Sequence, residues 1–207
     1  MRNLLYILIF MRAFQMFSQT AYDENIEALI DQYTVKPELQ CEILVQVAVE
    51  GMSIPDKKIF VDFKNRDKPK VQGEGLALLP KKGTVDQFSE LLSSPLQAIY
   101  LSKRKSNLVY KLVSLDQNSD WITADIIFDE KTFVIYESLV NTRKLGSIRT
   151  EHRYEAGIYP SSSVITFDIK KFRIPLKFIG REQRIADYPK KDENVQGKIT
   201  LTYTYLD

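Results

Sequence analysis

The sequence contains one histidine and one cysteine, and these are the first residues to consider for catalysis. His152 lies in a predicted strand, where an imidazole could act as a general base. No residue near it in the sequence is a plausible nucleophile with an oxyanion environment. The sequence therefore predicts an exposed or rim histidine without a catalytic role.

Cys41 and the acidic residues also offer little chemistry. Cys41 stands on the most apolar face of its predicted strand, which is typical of a small buried hydrophobic residue. A chain with one Cys and one His forms no intramolecular disulfide and no Cys/His metal cluster. Asp116, Asp120, Asp125 and Asp129 lack the spacing of a calcium loop and are interpreted as solvated turn residues.

Two short motifs remain. Gly73-Glu74-Gly75 has half the spacing of a phosphate-binding fingerprint, but it leads into an apolar run that opens no helix, so we reject it. Lys103-Arg104-Lys105 falls at a predicted hairpin tip. A solvated loop is the favoured interpretation, and a docking point for an acidic partner or an anionic membrane surface is the alternative. We therefore predict no enzyme, no cofactor and no metal site.

Composition narrows the class of protein further. The chain has 207 residues, of which 44% are hydrophobic and 27% charged, and its formal net charge is +2. That charge is too close to neutral for a dedicated nucleic-acid binder. The apolar fraction is typical of an ordinary soluble globular protein with a single domain.

The N-terminus predicts export. Arg2 precedes an apolar run over residues 4–11, which is far shorter than the ~20 residues that span a bilayer, and polar residues follow it. We expect residues 1–18 to be a signal peptide and residues 19–207 to form one exported domain. The alternative is that this segment is a first helix with a buried face. Arg12 interrupts the apolar run and so leaves that alternative possible. No other segment is apolar enough to be transmembrane.

Two short amphipathic helices are predicted. Ile26, Leu29 and Ile30 recur at helical spacing after an acidic start, and Pro37 closes that segment. A second helix follows a capping-box pattern at residues 84–87 and ends near residue 93. Its apolar side consists of Phe88, Leu91 and Leu92.

Alternating segments predict many strands. The spacing of the turns between them is typical of an antiparallel meander. A sheet with one apolar face needs a cover, and only the two helices can provide it. We therefore expect a mainly β (α+β) fold: a strongly curved antiparallel sheet around an apolar interior, capped by short helices. The clearest alternation is that of Ile43, Val45 and Val47, then Ile59, Val61 and Phe63, and later Ile165, Phe167 and Ile169.

An apolar interior under so thin a cover could hold a ligand. The chain has 11 Phe and 11 Tyr, which for any single residue indicates no more than a core. Burial of methylene groups stabilises by roughly 0.8 kcal/mol each, so a fatty chain could contribute on the order of ten kcal/mol gross. The strand residues just named would then line the sheet side of the pocket, and the named helix residues would line the other side.

Several local motifs resemble one known family. They are residues 61–71, which run into Leu78-Leu79-Pro80, then Tyr159-Pro160, residues 165–168 with 172–175, and residues 197–202. In this order they resemble the periplasmic outer-membrane lipoprotein carrier and receptor superfamily, the LolA/LolB-like proteins. The likeness covers nearly the whole mature chain.

That resemblance implies an unclosed antiparallel β-barrel, lidded by helices, that holds lipoprotein acyl chains during transit across the periplasm. Carriers of the family place an Arg on an early strand, where it helps govern release. Lys70 stands in the nearest comparable stretch here, and Arg66 lies in a predicted turn. The receptor-like relatives are lipid-anchored, whereas no Cys lies close behind the apolar run here.

The leading hypothesis is a periplasmic carrier that binds a lipid or lipoprotein acyl chain, with a part in lipoprotein transport to the outer membrane. The second is a non-catalytic interaction or sensor protein that keeps the fold without a ligand and binds another envelope protein through a sheet edge or the 103–105 loop. The third, an enzyme acting on lipid, would require His152 beside a Ser or carboxylate in a cleft.

Overall fold

The computed structural model describes residues 23–34, 39–49, 54–62, 70–73, 87–168 and 196–206. Neither helix within these ranges has the length and apolar character needed to cross a bilayer. The elements follow the order α1 (Glu24–Thr34), β1 (Gln40–Ala48), β2 (Lys57–Asp62), β3 (Lys70–Gln72), α2 (Gln87–Ser93), β4 (Leu96–Arg104), β5 (Asn107–Ser114), β6 (Trp121–Asp129), β7 (Ile135–Thr142), β8 (Gly146–Arg153), β9 (Ser162–Asp168) and β10 (Gln196–Leu206).

All these strands form one antiparallel sheet, in the order β3-β2-β1-β10-β9-β8-β7-β6-β5-β4. Strands β4 to β9 are a meander in which each strand pairs with the next. The last strand, β10, lies between β1 and β9 and so joins the N-terminal strands to the meander. The sheet is curved and unclosed, with β3 and β4 at its ends, which confirms the predicted fold class.

Two elements differ from the sequence prediction. Strand β3 was not predicted, because three residues are too few to show an alternating pattern. The sequence pattern predicts a strand over Thr132–Leu139, whereas β7 begins at Ile135. The side chain of Asp129 accepts hydrogen bonds from the backbone N–H of Lys131 and Thr132, both at 2.9 Å, and Phe133 has a φ of 52°. This turn delays the start of the strand.

One face of the sheet is apolar, and its buried residues form two clusters. We call the first the β10 cluster because it centres on that strand. It comprises Cys41, Ile43, Val45, Val49, Ile54, Ile59, Val61, Ile148, Ile165, Phe167, Ile199, Leu201 and Tyr203. We call the second the helix cluster. It comprises Ile26, Leu29, Phe88, Leu91, Leu92, Leu96, Leu108, Tyr110, Leu112, Trp121, Ala124, Ile126, Phe128, Ile135 and Val140.

The opposite face of the sheet carries charges. Lys111 forms an ion pair with Asp125, its direct partner across β5 and β6, and Arg149 forms one with Glu137 across β7 and β8. Alternation of side chains along a strand places these residues on the face opposite the clusters. The sheet therefore has one wet face and one apolar face, as predicted from the sequence.

Helix α1 is held on the sheet at both ends. At its start, the Tyr110 hydroxyl donates to Asp23 Oδ2 at 2.6 Å, and the backbone N–H of Asn25 donates to Asp23 Oδ1 at 2.8 Å. At its other end, Gln32 Nε2 donates to the Phe133 carbonyl at 3.0 Å. These bonds place the apolar stripe of α1 over the β5–β7 part of the sheet.

Candidate ligand-binding interior

The strand residues predicted to line a pocket lie in the β10 cluster. Ile43 pairs directly with Ile59 on β2, and Ile165 pairs with Ile199 on β10. Ile43, Val45, Ile59, Val61, Ile165 and Phe167 are all buried on this face, whereas Val47 is partly buried and packs against the cluster. Phe63 and Ile169 lie outside the described residues.

The helix residues predicted to face them lie in the other cluster. Ile26, Leu29, Phe88, Leu91 and Leu92 are buried in the helix cluster, and Ile30 packs against it. The strand partners there come from β4 to β7, not from the strands named at the sequence level. Sequence reasoning missed these partners, although Leu108, Tyr110 and Leu112 alternate clearly along β5.

The two clusters meet on one continuous face at β8. Ile148 pairs with Phe167 of the β10 cluster on one side and with Val140 of the helix cluster on the other. Residues in direct register on adjacent strands point to the same side of a sheet. The described helices therefore cover one half of an apolar wall that runs on into the β10 cluster.

A polar row interrupts this wall where the clusters meet. Ser138 on β7 pairs directly with Thr150 on β8, and His152 on β8 pairs with Ser163 on β9. The side chains of Ser138, Thr150 and Ser163 are 0%, 1% and 1% exposed. We call Ser138, Thr150, His152 and Ser163 the polar row. The sequence carried a signal for this row. Thr150 lies two residues after Ile148, on the same face of β8, so a polar residue stands where the alternation predicts an apolar one.

His152 is half-buried, which fits the rim position predicted for it and not a fully exposed one. Its Nδ1 atom lies 2.7 Å from Ser163 Oγ, and its ring contacts that of Phe88 with a centroid distance of 5.3 Å. Desolvation by burial lowers the pKa of His152 to about 4. The cause is the long-range pairing of β8 with β9 and the cover provided by α2, neither of which is visible in local sequence.

The His152–Ser163 contact supplies the geometry that an enzyme hypothesis would need, but its chemistry is poor. A histidine whose pKa lies near 4 is a weak base at neutral pH. No carboxylate hydrogen-bonds its Nε2 atom, which has no partner among the described residues. The described residues also contain no group of three or more His, Cys, Asp or Glu side chains that could hold a metal.

Burial also shifts the pKa of Cys41 and of three tyrosines. Burial raises the pKa of Cys41 to about 11, so the thiol is protonated and unreactive at neutral pH, as its predicted position implies. Burial also raises the pKa of Tyr154, Tyr203 and Tyr205. These phenols are neutral at physiological pH.

The basic motif lies at a hairpin tip, as predicted. Strand β4 ends at Arg104, β5 begins at Asn107, and Lys105 has a φ of 58° in the turn between them. Lys103 forms an ion pair with Glu130. All three cations of the motif are exposed, so the docking interpretation stays open, and the ion pair engages one of them, Lys103.

Three solved structures are similar to this chain over most of their length. A LolA superfamily protein from Nitrosomonas europaea aligns over 86% of this chain and 91% of its own, with a TM-score of 0.52 and 7% identity. A DUF1329 family protein from Desulfovibrio piger covers 87% and 90%, with a TM-score of 0.49 and 5% identity. A domain named for outer membrane lipoprotein sorting, from Vibrio parahaemolyticus, covers 86% and 89%, with a TM-score of 0.41 and 12% identity.

Of these three, the first carries the fold assignment, since its TM-score exceeds 0.5. No protein-family model matches the sequence, and no curated protein matches it. The chain therefore has a LolA-like fold, which confirms the resemblance identified from the sequence.

Proposed function

We propose that this LolA-like chain is a non-catalytic periplasmic carrier that holds an acyl chain of a lipid or lipoprotein against the apolar face of its sheet. Residues 1–18 would direct export and be removed, leaving residues 19–207 as one domain. Ile43, Val45, Val47, Ile59, Val61, Phe63, Ile165, Phe167 and Ile169 would line the strand side of the site, and Phe88, Leu91 and Leu92 would form its boundary at α2.

The continuity of the apolar wall is the observation that carries this proposal. The described helices reach the helix cluster, while the wall extends through Ile148 into the β10 cluster. An acyl chain lying along that extension would gain roughly 0.8 kcal/mol per buried methylene without needing any charged partner. Such binding depends on area and suits a carrier of varied lipids.

The test is native mass spectrometry of the full chain purified from its own cells, followed by lipid extraction. We expect a bound apolar ligand in the wild type. Ile43→Phe, which adds volume on the proposed wall, should reduce its occupancy severalfold without changing the urea midpoint. Ile122→Phe adds the same volume on an exposed residue and should leave occupancy unchanged.

If the protein's own side chains fill the interior, we expect the opposite result. In that case the wild type carries no ligand, and Ile43→Phe lowers the free energy of unfolding by about 1–3 kcal/mol, because extra atoms strain a packed core. N-terminal sequencing of the same material tests export: a start within a few residues of position 19 supports the signal peptide, and an intact Met1 contradicts it.

A second candidate function rests on the β4 edge. Ile99, Tyr100 and Leu101 are consecutive residues of this terminal strand and are 41%, 52% and 48% exposed. Exposed apolar strand edges bind extended partner segments. As an interaction or sensor protein, the chain would bind an envelope protein through this edge and the basic hairpin tip at which β4 ends. Charge reversal of Arg104 and Lys105 should then abolish a pull-down that Ile43→Phe leaves intact.

A further inference from the structure

The polar row has unsatisfied hydrogen-bonding capacity. The hydroxyls of Ser138 and Thr150 and the Nε2 atom of His152 are buried, and none has a hydrogen-bond partner among the described residues. A fourth such atom, Trp121 Nε1, lies apart, where β6 pairs with the end of β7. Three of the four therefore fall on one patch of adjacent strands.

Backbone pairing does not satisfy these groups. Ser138 and Thr150 lie in mid-strand, flanked in register by Ile126 on one side and Ile165 on the other. The carbonyls around them belong to the antiparallel ladder. A buried hydroxyl without a partner costs about 1–3 kcal/mol, so a fold that keeps two of them side by side needs a compensating partner.

The row also has smaller side chains than the wall on either side of it. Ser138 and Thr150 have smaller side chains than Ile126 and Ile165, so a ligand group placed over the row meets less bulk than on either side. Cβ atoms of directly opposed residues in a sheet lie about 5 Å apart, which lets both hydroxyls reach one acceptor.

We propose that Ser138, Thr150 and His152 form a hydrogen-bonding subsite for the carbonyl oxygen of an ester- or amide-linked acyl group. The subsite lies at the junction of the two clusters, and this inference rests on the proposed carrier function. The hydroxyls donate to the carbonyl. When Nδ1 of His152 accepts from Ser163, Nε2 carries the ring proton and is a third donor.

The surroundings favour a neutral carbonyl over the carboxylate of a free fatty acid. The neighbours of the row on this face are Ile126, Val140, Ile148, Ile165 and Leu201, and Phe88 covers His152. None of these carries a charge, and His152 is itself neutral at pH 7 because burial lowers its pKa to about 4. A carboxylate placed there would be a buried, uncompensated charge.

The test compares ligands that differ by one carbonyl. The full chain, freed of lipid, is offered equal amounts of 1-palmitoylglycerol and 1-O-hexadecylglycerol, and native mass spectrometry counts the two complexes. We expect the ester to exceed the ether by about tenfold, equivalent to about 1.4 kcal/mol. Palmitate should bind no better than the ether. The corresponding palmitamide is offered in the same way. More amide complex than ester complex indicates an N-acyl ligand, and less indicates an O-acyl ligand.

Paired variants localise the effect. Ser138→Ala combined with Thr150→Val should bring the ester-to-ether ratio close to one while ether binding is retained. Ser147→Ala combined with Thr202→Val makes the same chemical changes at exposed positions and should keep the wild-type ratio. Because the first pair removes unsatisfied groups, it is expected to fold.

The outcomes separate this inference from the carrier proposal. A wild-type ratio of one means that the hydroxyls hold water only, which overturns the subsite but not the carrier. A ratio that survives in the Ser138/Thr150 variant also overturns the subsite. Binding of neither ligand overturns both proposals.

Discussion

The hydroxyl of Tyr110, on β5, donates to the Asp23 carboxylate at the start of α1 across 2.6 Å. The Tyr110 ring also stacks on Phe128, with a centroid distance of 5.6 Å, so one side chain belongs both to the helix cluster and to the helix cap. This contact spans 87 residues of sequence. The contact therefore fixes where α1, the first helix on the sheet, begins.

Replacing Tyr110 by Phe should therefore loosen α1 while preserving the ring packing. We expect the free energy of unfolding to fall by about 1 kcal/mol, at the low end for a bond to a charged group because Asp23 is exposed to water. Urea denaturation measures this loss. Tyr100→Phe removes a hydroxyl from an exposed ring beside Tyr110 and should change the midpoint little.

The same contact has a pH signature. Burial acts to raise the pKa of Asp23, but hydrogen bonds from Tyr110 and Asn25 outweigh it and lower the pKa below 3.8. A lowered pKa in the folded state stabilises above the unfolded value and is lost as the pH falls through the folded value. The stability difference between the wild type and Tyr110→Phe should therefore shrink below about pH 4.

His152 should control stability at a higher pH. Its pKa is about 4 in the folded state against 6.5 for the unfolded reference, so the neutral form is favoured by folding. The stabilisation that neutral His152 gives the folded state is complete above pH 6.5. It is lost as the pH falls towards 4, which lowers the free energy of unfolding by about 3 kcal/mol in total. The free energy of unfolding of His152→Phe should not fall over this pH range. It is the only histidine, so its proton resonance reports the titration directly.

A His152 resonance that titrates near pH 6.5 in the folded protein would contradict the buried position. Equal pH dependence of unfolding in the wild type and in His152→Phe would do the same.

Removal of the hydroxyls in the polar row should stabilise the lipid-free protein. Ser138→Ala and Thr150→Val each eliminate a buried group without a partner among the described residues, and we expect each to raise the free energy of unfolding by about 0.5–1 kcal/mol. Urea denaturation of the delipidated chain measures the gain. Thr202→Val is the exposed control, and destabilisation by the two buried changes would show that these hydroxyls are already satisfied.

Gly73 should be required for the β2–β3 edge. Its φ is 128°, and a Cβ built on it would lie 2.3 Å from the Lys58 carbonyl oxygen. Gly73→Ala should cost about 1–3 kcal/mol in strain, which would appear as faster amide exchange in β2. Gly157→Ala is a matched control, because Gly157 also has a positive φ of 72° but nothing within 4 Å. Equal exchange in both variants would refute the steric role.

Much of the fold could be predicted from local patterns. The alternation of Ile43 with Val45 and of Ile165 with Phe167 identified the apolar faces of β1 and β9, because side chains on a strand alternate with a period of two. The spacing of Ile26 and Leu29 identified the buried stripe of α1. The role of these residues in ligand binding remains a prediction.

The sequence by itself determined both helices, most of the strands and which face of each is apolar, because those properties depend on neighbours two to four positions away. Only the tertiary structure decided that α1 and α2 pack on β4–β7 instead of on β1, β2 and β9. It also placed Ser138, Thr150, His152 and Ser163 beside one another on three strands. These relations depend on strand order and register, which pair residues far apart in the chain and leave little trace in any short segment.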